Sequence, residues 1–411
     1  MYNVQITPSF LKGTVFAPPS KSVAHRLLIC AAFSQGVSQI SGLSLSKDII
    51  ATIDALKSLG AEITLNGSTA SVKGIEDIPD SATIDCNESG STLRFLIPIA
   101  TALGVSTTFL GKGKLPERPI TPYLEELTKK GIAFEYDNTM PFSVSGKLKS
   151  GKFSLAGNIS SQFITGLLFA LPLLDGDSEI ILTSKLESKP YVDITIDCLL
   201  KFGVKVLETE KGYFIKGNQK YTPYDIKVEG DYSQAAFFYV ANAIGSDIKI
   251  ENLNIDSFQG DKKIIEIINK ISYNNNMLES FEIDGSDIPD IVPILTVLAC
   301  FCYGQSRIYN VSRLRIKESN RLEAISSCIN LIGGKVKVTD DSLIIDGVES
   351  FIGGEVDSFN DHRIAMSLAI CSSRCKNSLI IKNASCVEKS YPDFFEDFKK
   401  LGGKMNVINL E

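Results

Sequence analysis

Six segments of this chain are apolar nearly all the way round a helical wheel, and each begins just after a polar cluster. They are RLLICAAF, TLRFLIPIA, FITGLLFALPLL, AAFFYVANAIG, VPILTVLACFCYG and RIAMSLAIC, starting near Ser22, Ser91, Ser161, Ser233, Ile291 and Arg363. Apolar residues on every face predict helices buried within a core, not amphipathic helices on a surface. A second pattern gives the same count. A helix-like segment ends at a glycine and a β-branched or alternating stretch follows, around Gly60, Gly131, Gly203, Gly333 and Gly402. The spacings are 71, 72, 130 and 69 residues, so one degenerate copy is expected in the long gap, where the helix-like Ile264 to Ile271 stands.

Short strand candidates fall between these markers at Ser38 to Gly42, Ala70 to Lys73, Phe142 to Ser145, Ile180 to Leu182, Ile248 to Ile250 and Leu379 to Ile381. The chain therefore reads as six repeats of about 70 residues. Each mixes helix and strand and cannot bury its own faces, so three share a core and two domains result. A chain of 411 residues also exceeds what one core usually supports.

Composition narrows the function. A net charge of -6 argues against a broad nucleic-acid surface, so any anionic ligand needs a local pocket of cations. No apolar run is long enough to span a bilayer, and the N-terminus carries no secretory pattern, so a cytoplasmic protein is expected. The nine cysteines sit in apolar segments and read as reduced core residues; with only two histidines, no metal site is expected.

The polar clusters supply that pocket. A helix N-terminus offers unpaired N–H groups and a partial positive charge. Ser and Asp there are also ordinary caps. Several clusters add cations, however: Lys21, Ser22, His25 and Arg26; Glu88, Ser89, Gly90, Ser91 and Arg94; Asp361, His362 and Arg363.

As strings, these clusters and their neighbours resemble the 5-enolpyruvylshikimate-3-phosphate synthase family, within the enolpyruvyl transferases. The resemblance rests on PPSKSVAHRLL (18–28), ESGSTLRF (88–95), LPERPITPYLEEL (115–127), SSQFITGLL (160–168), ESKPYVDIT (187–195), GDYSQAAFF (230–238), DIPDIVPIL (287–295), RIKESNRLEA (315–324), NDHRIAMSLA (360–369) and EKSYPDFFEDF (388–398). It implies an α/β (α+β) fold of two similar domains, each three βαβαββ repeats in an inside-out α/β barrel, with the active site in the interdomain cleft. The domains would be 19–227, and 1–18 plus 228–411.

The resemblance further implies transfer of the enolpyruvyl group of phosphoenolpyruvate to the 5-hydroxyl of shikimate-3-phosphate. The route is addition and elimination through a non-covalent tetrahedral intermediate, without a cofactor and in a monomer that is a glyphosate target. The two substrates carry about six negative charges between them, two phosphates and two carboxylates. Shikimate-3-phosphate would meet Lys21, Ser22, Arg26, Ser160, Ser161, Gln162, Ser188, Tyr191, Asp290 and Lys317. Phosphoenolpyruvate would meet Lys21, Gly90, Arg118, Gln162, Arg321, Arg363 and Lys389. Lys21, Asp290 and Glu318 would carry the proton transfers; spacing does not say which makes which, and His25 and His362 are further candidates.

Three positions depart from the family pattern, among them Phe95, which follows Arg94 where relatives often have Pro. Glu88 places a carboxylate beside the intended anion site, and Arg313 stands where an asparagine commonly contacts the shikimate phosphate. Two rival readings are a UDP-N-acetylglucosamine enolpyruvyl transferase and a non-catalytic anion-binding module. The loop Leu110 to Pro119 lacks the cysteine expected of the first; the acidic balance, with Asp290, Glu318 and Lys21 all present, argues against the second.

Overall fold

The computed structural model describes residues 2–271, 273–274 and 277–409. The chain divides into two compact units, one made of residues 19–229 and the other of 1–18 and 230–411. Each has its own apolar core.

In the unit 19–229 the core is built on helices Lys21–Ala32, Gly90–Leu103 and Ser161–Ala170. Their all-round apolar sequence has the expected outcome: every residue from Leu27 to Ala32 is fully buried. Three four-stranded sheets surround them with one shared topology. The first combines Ile226–Lys227, Val37–Ser41, Thr69–Lys73 and Glu62–Asn66; the first pair is parallel and the other two antiparallel. The sheets led by Ser81–Asp85 and by Lys152–Leu155 repeat that order. The first repeat thus borrows its leading strand from the far end of the unit, which closes the three repeats into a ring.

The other unit is built on Tyr232–Ala243, Val292–Ala299 and His362–Cys371, the last two buried at every position. Two of its sheets keep the same order. In one of them strand Tyr2–Thr7 lies between Leu379–Lys382 and Lys404–Asn409, so the first residues of the chain complete its last repeat.

The fourth repeat is the degenerate one. Its leading pair, Lys12–Phe16 and Asp247–Glu251, forms a separate two-stranded sheet. The hairpin strand Met277–Glu279 instead pairs with Cys302–Tyr303. A cause is visible at the preceding helix end. The five marker glycines have φ between 82° and 106°, the left-handed region that turns a helix sharply into a hairpin. In the fourth copy the cap residue Ile271 already has ψ 100°, where the caps Leu59, Phe202, Ile332 and Leu401 that precede four of those glycines have ψ between 1° and 19°, so the chain leaves extended.

All nine cysteines are buried thiols, and no metal-binding group of His, Cys, Asp or Glu exists among the described residues. No helix of the described residues is long and apolar enough to cross a membrane.

The contact between helices Gly90–Leu103 and Ser161–Ala170 depends on Gly166, where an added Cβ would meet the Tyr123 hydroxyl and the Arg94 carbonyl. Tyr123 is itself fixed by donating to the carbonyls of Arg94 (2.9 Å) and Phe163 (2.7 Å). Gly166→Ala is therefore expected to destabilise this unit by about 1–3 kcal/mol through overpacking. Urea unfolding of both proteins measures it, and an unchanged midpoint counts against this packing.

Candidate active site

Part of the residues singled out from sequence, among them Lys21, Gly90, Ser161 and Arg363, stand in the first turns of core helices, where most caps come from local side chains. Ser89, Ser160, Asp231 and Asp361 accept from the N–H groups of Thr92, Gln162, Gln234 and Arg363 at 2.9–3.3 Å. The capping reading of these clusters is correct. It leaves functional work open, because a serine that accepts from the backbone retains its own O–H to donate.

In the unit 19–229 the structure places Lys21, Ser22, Arg26, Gly90, Arg118, Ser160, Ser161, Gln162, Ser188 and Tyr191. Arg26 is 2% exposed, and each of its three nitrogens makes a hydrogen bond within the unit. Its Nε donates to Thr195 Oγ1 (2.8 Å), Nη1 to the Ser22 carbonyl (2.6 Å) and Nη2 to the Tyr191 carbonyl (2.9 Å). The guanidinium thus ties Ser22 to the helix Lys189–Lys201, which Ser188 precedes at φ 57°. Gln162 accepts from Arg94 Nη1 (2.8 Å) and donates to Ser91 Oγ (3.0 Å), linking the starts of two core helices. Arg118 lies directly over Gly90: a Cβ there would stand 2.6 Å from Nη1 and 2.8 Å from Cζ. Glycine is what lets the guanidinium approach the helix N-terminus.

Lys21 pairs with Asp48 at 2.7 Å, a partner that sequence reading did not identify. Asp48 sits in the first turn of the helix Lys47–Ser58, where an acidic residue reads simply as dipole compensation. Glu88 packs against the loop glycine Gly113, within 2.6 Å of where its Cβ would be.

The other unit holds Asp290, Lys317, Glu318, Arg321, Arg363 and Lys389. Arg321 is 1% exposed and surrounded by carboxylates. Its Nε donates to Asp361 Oδ2 (2.8 Å), Nη1 to Asp290 Oδ1 (2.9 Å) and Nη2 to Glu318 Oε2 (2.8 Å). Asp290 also accepts from Arg363 Nη2 at 3.3 Å and lies 3.9 Å from Lys317 Nζ. Burial works to raise the Asp290 pKa, but Arg363, Lys317 and Arg321 together hold it far below the usual carboxylate range. Burial lowers Lys317 to about 8, with Arg321 and Arg313 opposing its charge and Asp290 supporting it. Lys317 therefore gains and loses a proton near neutrality, a capacity its sequence motif does not reveal.

Arg363 is the open position. It is 3% exposed, yet its Nε and Nη1 have no hydrogen-bond partner among the described residues. Buried guanidinium N–H groups left unpaired are costly, and an incoming carboxylate or phosphate satisfies them with charge-assisted bonds. Lys389 ends the short helix Ala384–Lys389 and is 7% exposed. Arg313 donates to the Ser286 carbonyl and so braces the loop leading to Asp290.

His25 is fully buried, its Nδ1 2.7 Å from Thr52 Oγ1 and its Nε2 without a partner among the described residues. Burial, aided by Lys21 and Arg26 and opposed by Asp48, lowers its pKa to about 3, so at neutral pH it is an uncharged structural group. Folded, it binds fewer protons than the unfolded chain. Its stability contribution is full above the unfolded value of 6.5 and is lost as pH falls toward about 3. His25→Gln should consequently lose about 2 kcal/mol less than the parent between pH 7 and pH 5. Denaturant unfolding at the two pH values measures this; equal losses would refute it.

Comparison with known proteins identifies the family. The family model described as EPSP synthase (3-phosphoshikimate 1-carboxyvinyltransferase) matches residues 6–398. A 3-phosphoshikimate 1-carboxyvinyltransferase of Clostridium perfringens is 50% identical over 419 aligned residues, covering 98% of this chain and 99% of that protein. A protein of the same name from Clostridium beijerinckii is 46% identical, with both chains covered completely. Among solved structures, EPSP synthase from Acinetobacter baumannii shares the fold at a TM-score of 0.83 and 24% identity, with both chains fully covered. The enolpyruvyl transferase NikO from Streptomyces tendae shares it at 0.81 and 15%, covering 100% of this chain and 99% of that one. With the model matching nearly the whole chain and a half-identical relative covering it almost end to end, this protein belongs to the EPSP synthase (3-phosphoshikimate 1-carboxyvinyltransferase) family.

Proposed function

We propose that this protein transfers the enolpyruvyl group of phosphoenolpyruvate to the 5-hydroxyl of shikimate-3-phosphate, releasing inorganic phosphate, as a cytoplasmic monomer of the shikimate pathway. The observation that carries the reading is the cluster of Arg321, Arg363 and Lys317 about Asp290, with Arg363 N–H groups still open to an anion. Family membership supplies the substrates.

In this reading the units 19–229 and 1–18 plus 230–411 are the two enolpyruvyl transferase domains, and turnover draws on residues of both. Ser160, Ser161, Ser188 and Lys317 hold the shikimate phosphate, while Ser22, Arg26, Gln162, Tyr191 and Asp290 orient the ring and carboxylate. Phosphoenolpyruvate is held by Lys21, Gly90, Arg118, Gln162, Arg321, Arg363 and Lys389. Asp290 receives the proton of the attacking hydroxyl, Glu318 serves the methylene carbon, and Lys21 assists. An ionised Asp290 fits an acceptor, but three cations make it a weak base. Substrate anions that engage Arg363 and Lys317 weaken that grip and raise its basicity.

Phosphate release from the two substrates is the direct test. Release only with a UDP-sugar acceptor, or none at all, would overturn the reading. The Gly90 contact gives a sharper expectation. Gly90→Ala displaces the Arg118 guanidinium and should raise the KM for phosphoenolpyruvate roughly ten- to a hundredfold, leaving the KM for shikimate-3-phosphate nearly unchanged. Equal changes in both constants would show that Arg118 is not part of the phosphoenolpyruvate subsite.

A further inference from the structure

Asp261 is a buried carboxylate for which the reaction as described has no use. It is 2% exposed and lies in the short helix Gly260–Lys262, inside the degenerate fourth repeat. The segment carrying it is clamped to the start of the core helix Tyr232–Ala243. Gln259 Nε2 donates to the Gly230 carbonyl (2.8 Å), Gln259 Oε1 accepts from the Tyr232 N–H (3.0 Å), and the Gln259 N–H donates to Ser257 Oγ (3.1 Å). The clamp delivers Asp261 to Ser233, whose hydroxyl donates to Asp261 Oδ2.

The charged groups that act on Asp261 are Asp290 and Arg363, which hydrogen bond each other, and Asp231, which caps the helix carrying Ser233. Lys262 is turned away, with its Nζ on the Ile255 carbonyl at 2.7 Å. Burial first, then Asp290 and Asp231, raise the Asp261 carboxyl to about 7 against the lowering effect of the Ser233 bond and Arg363. A second negative charge here opposes the three cations that depress Asp290.

We infer that Asp261 is a positioning residue for enolpyruvyl transfer: held by Ser233, it sets the charge beside the Asp290–Arg363 pair and thereby the basicity of Asp290. This rests on the proposed reaction. When Asp261 loses its proton, the added charge makes Asp290 a better acceptor, so kcat rises as pH climbs through about 7.

The test is the kcat–pH profile of the parent, Asp261→Asn and Ser233→Ala, at saturating substrates. The parent should show a rising limb near pH 7. Asp261→Asn should lack that limb and turn over roughly tenfold more slowly at pH 8, with both KM values within about twofold of the parent. Ser233→Ala, which keeps the carboxyl but removes its hydrogen bond, should move the limb to higher pH. An Asp261→Asn profile that superimposes on the parent, or a slower variant with the limb retained, overturns the inference.

If Asp261→Asn fails to fold, the Ser233→Ala limb decides: moved upward it supports the inference, unmoved it overturns it. A parent without enolpyruvyl transfer overturns the proposed function instead. Carbon-13 titration of the carboxyl groups then decides the inference separately. A signal with its midpoint near pH 7 that moves upward in Ser233→Ala supports it, and its absence in the parent overturns it.

Discussion

A single buried guanidinium organises the cluster of charged side chains around Asp290. Arg321 donates from all three nitrogens to carboxylates on different segments: Asp361 at the start of a core helix, Asp290 before another, and Glu318 one turn upstream. Removing a charge from such a cluster leaves the others buried and uncompensated, which is far more costly than any exposed ion pair. The arrangement also fixes where Asp290 and Glu318 point. Arg321 is therefore a hub for three carboxylates, while Arg363 keeps N–H groups without a partner among the described residues.

The fold makes such hubs possible by repetition. Each repeat sends a helix with no polar face into the core, so its polar residues concentrate at the N-terminus, where unpaired N–H groups need partners. Caps such as Ser160 and Asp361 meet that need. A capping serine keeps its own O–H to donate, so structural and functional readings of one serine are compatible.

The site also holds ionisable groups near neutral balance. Lys317 is lowered to about 8 by burial, with Arg321 and Arg313 adding to the effect and Asp290 opposing it, whereas Asp261 is raised to about 7 by burial and then by the charge of Asp290. Asp290 is driven the opposite way by its cations. Groups pushed apart in this manner are what proton transfer between a hydroxyl and a carbon centre requires.

The period of the repeats, the six core helices, the degenerate fourth copy and the motif residues were all legible in the linear sequence. Apolar periodicity and turn glycines are local signals, and they survive without neighbours. Sequence alone did not reveal that Lys21 meets Asp48, that Asp261 reaches Ser233, or that Arg26 is held by Thr195 and the Tyr191 carbonyl. Nor did it show that strands Ile226–Lys227 and Tyr2–Thr7 complete repeats at the opposite ends of their units. Those pairings join residues from 27 to more than 300 positions apart, and each partner reads locally as an ordinary cap, a helix-start acid or a short strand. The sequence by itself determined which groups are present and which elements carry them. Tertiary packing decided which groups meet, and burial then set their charge.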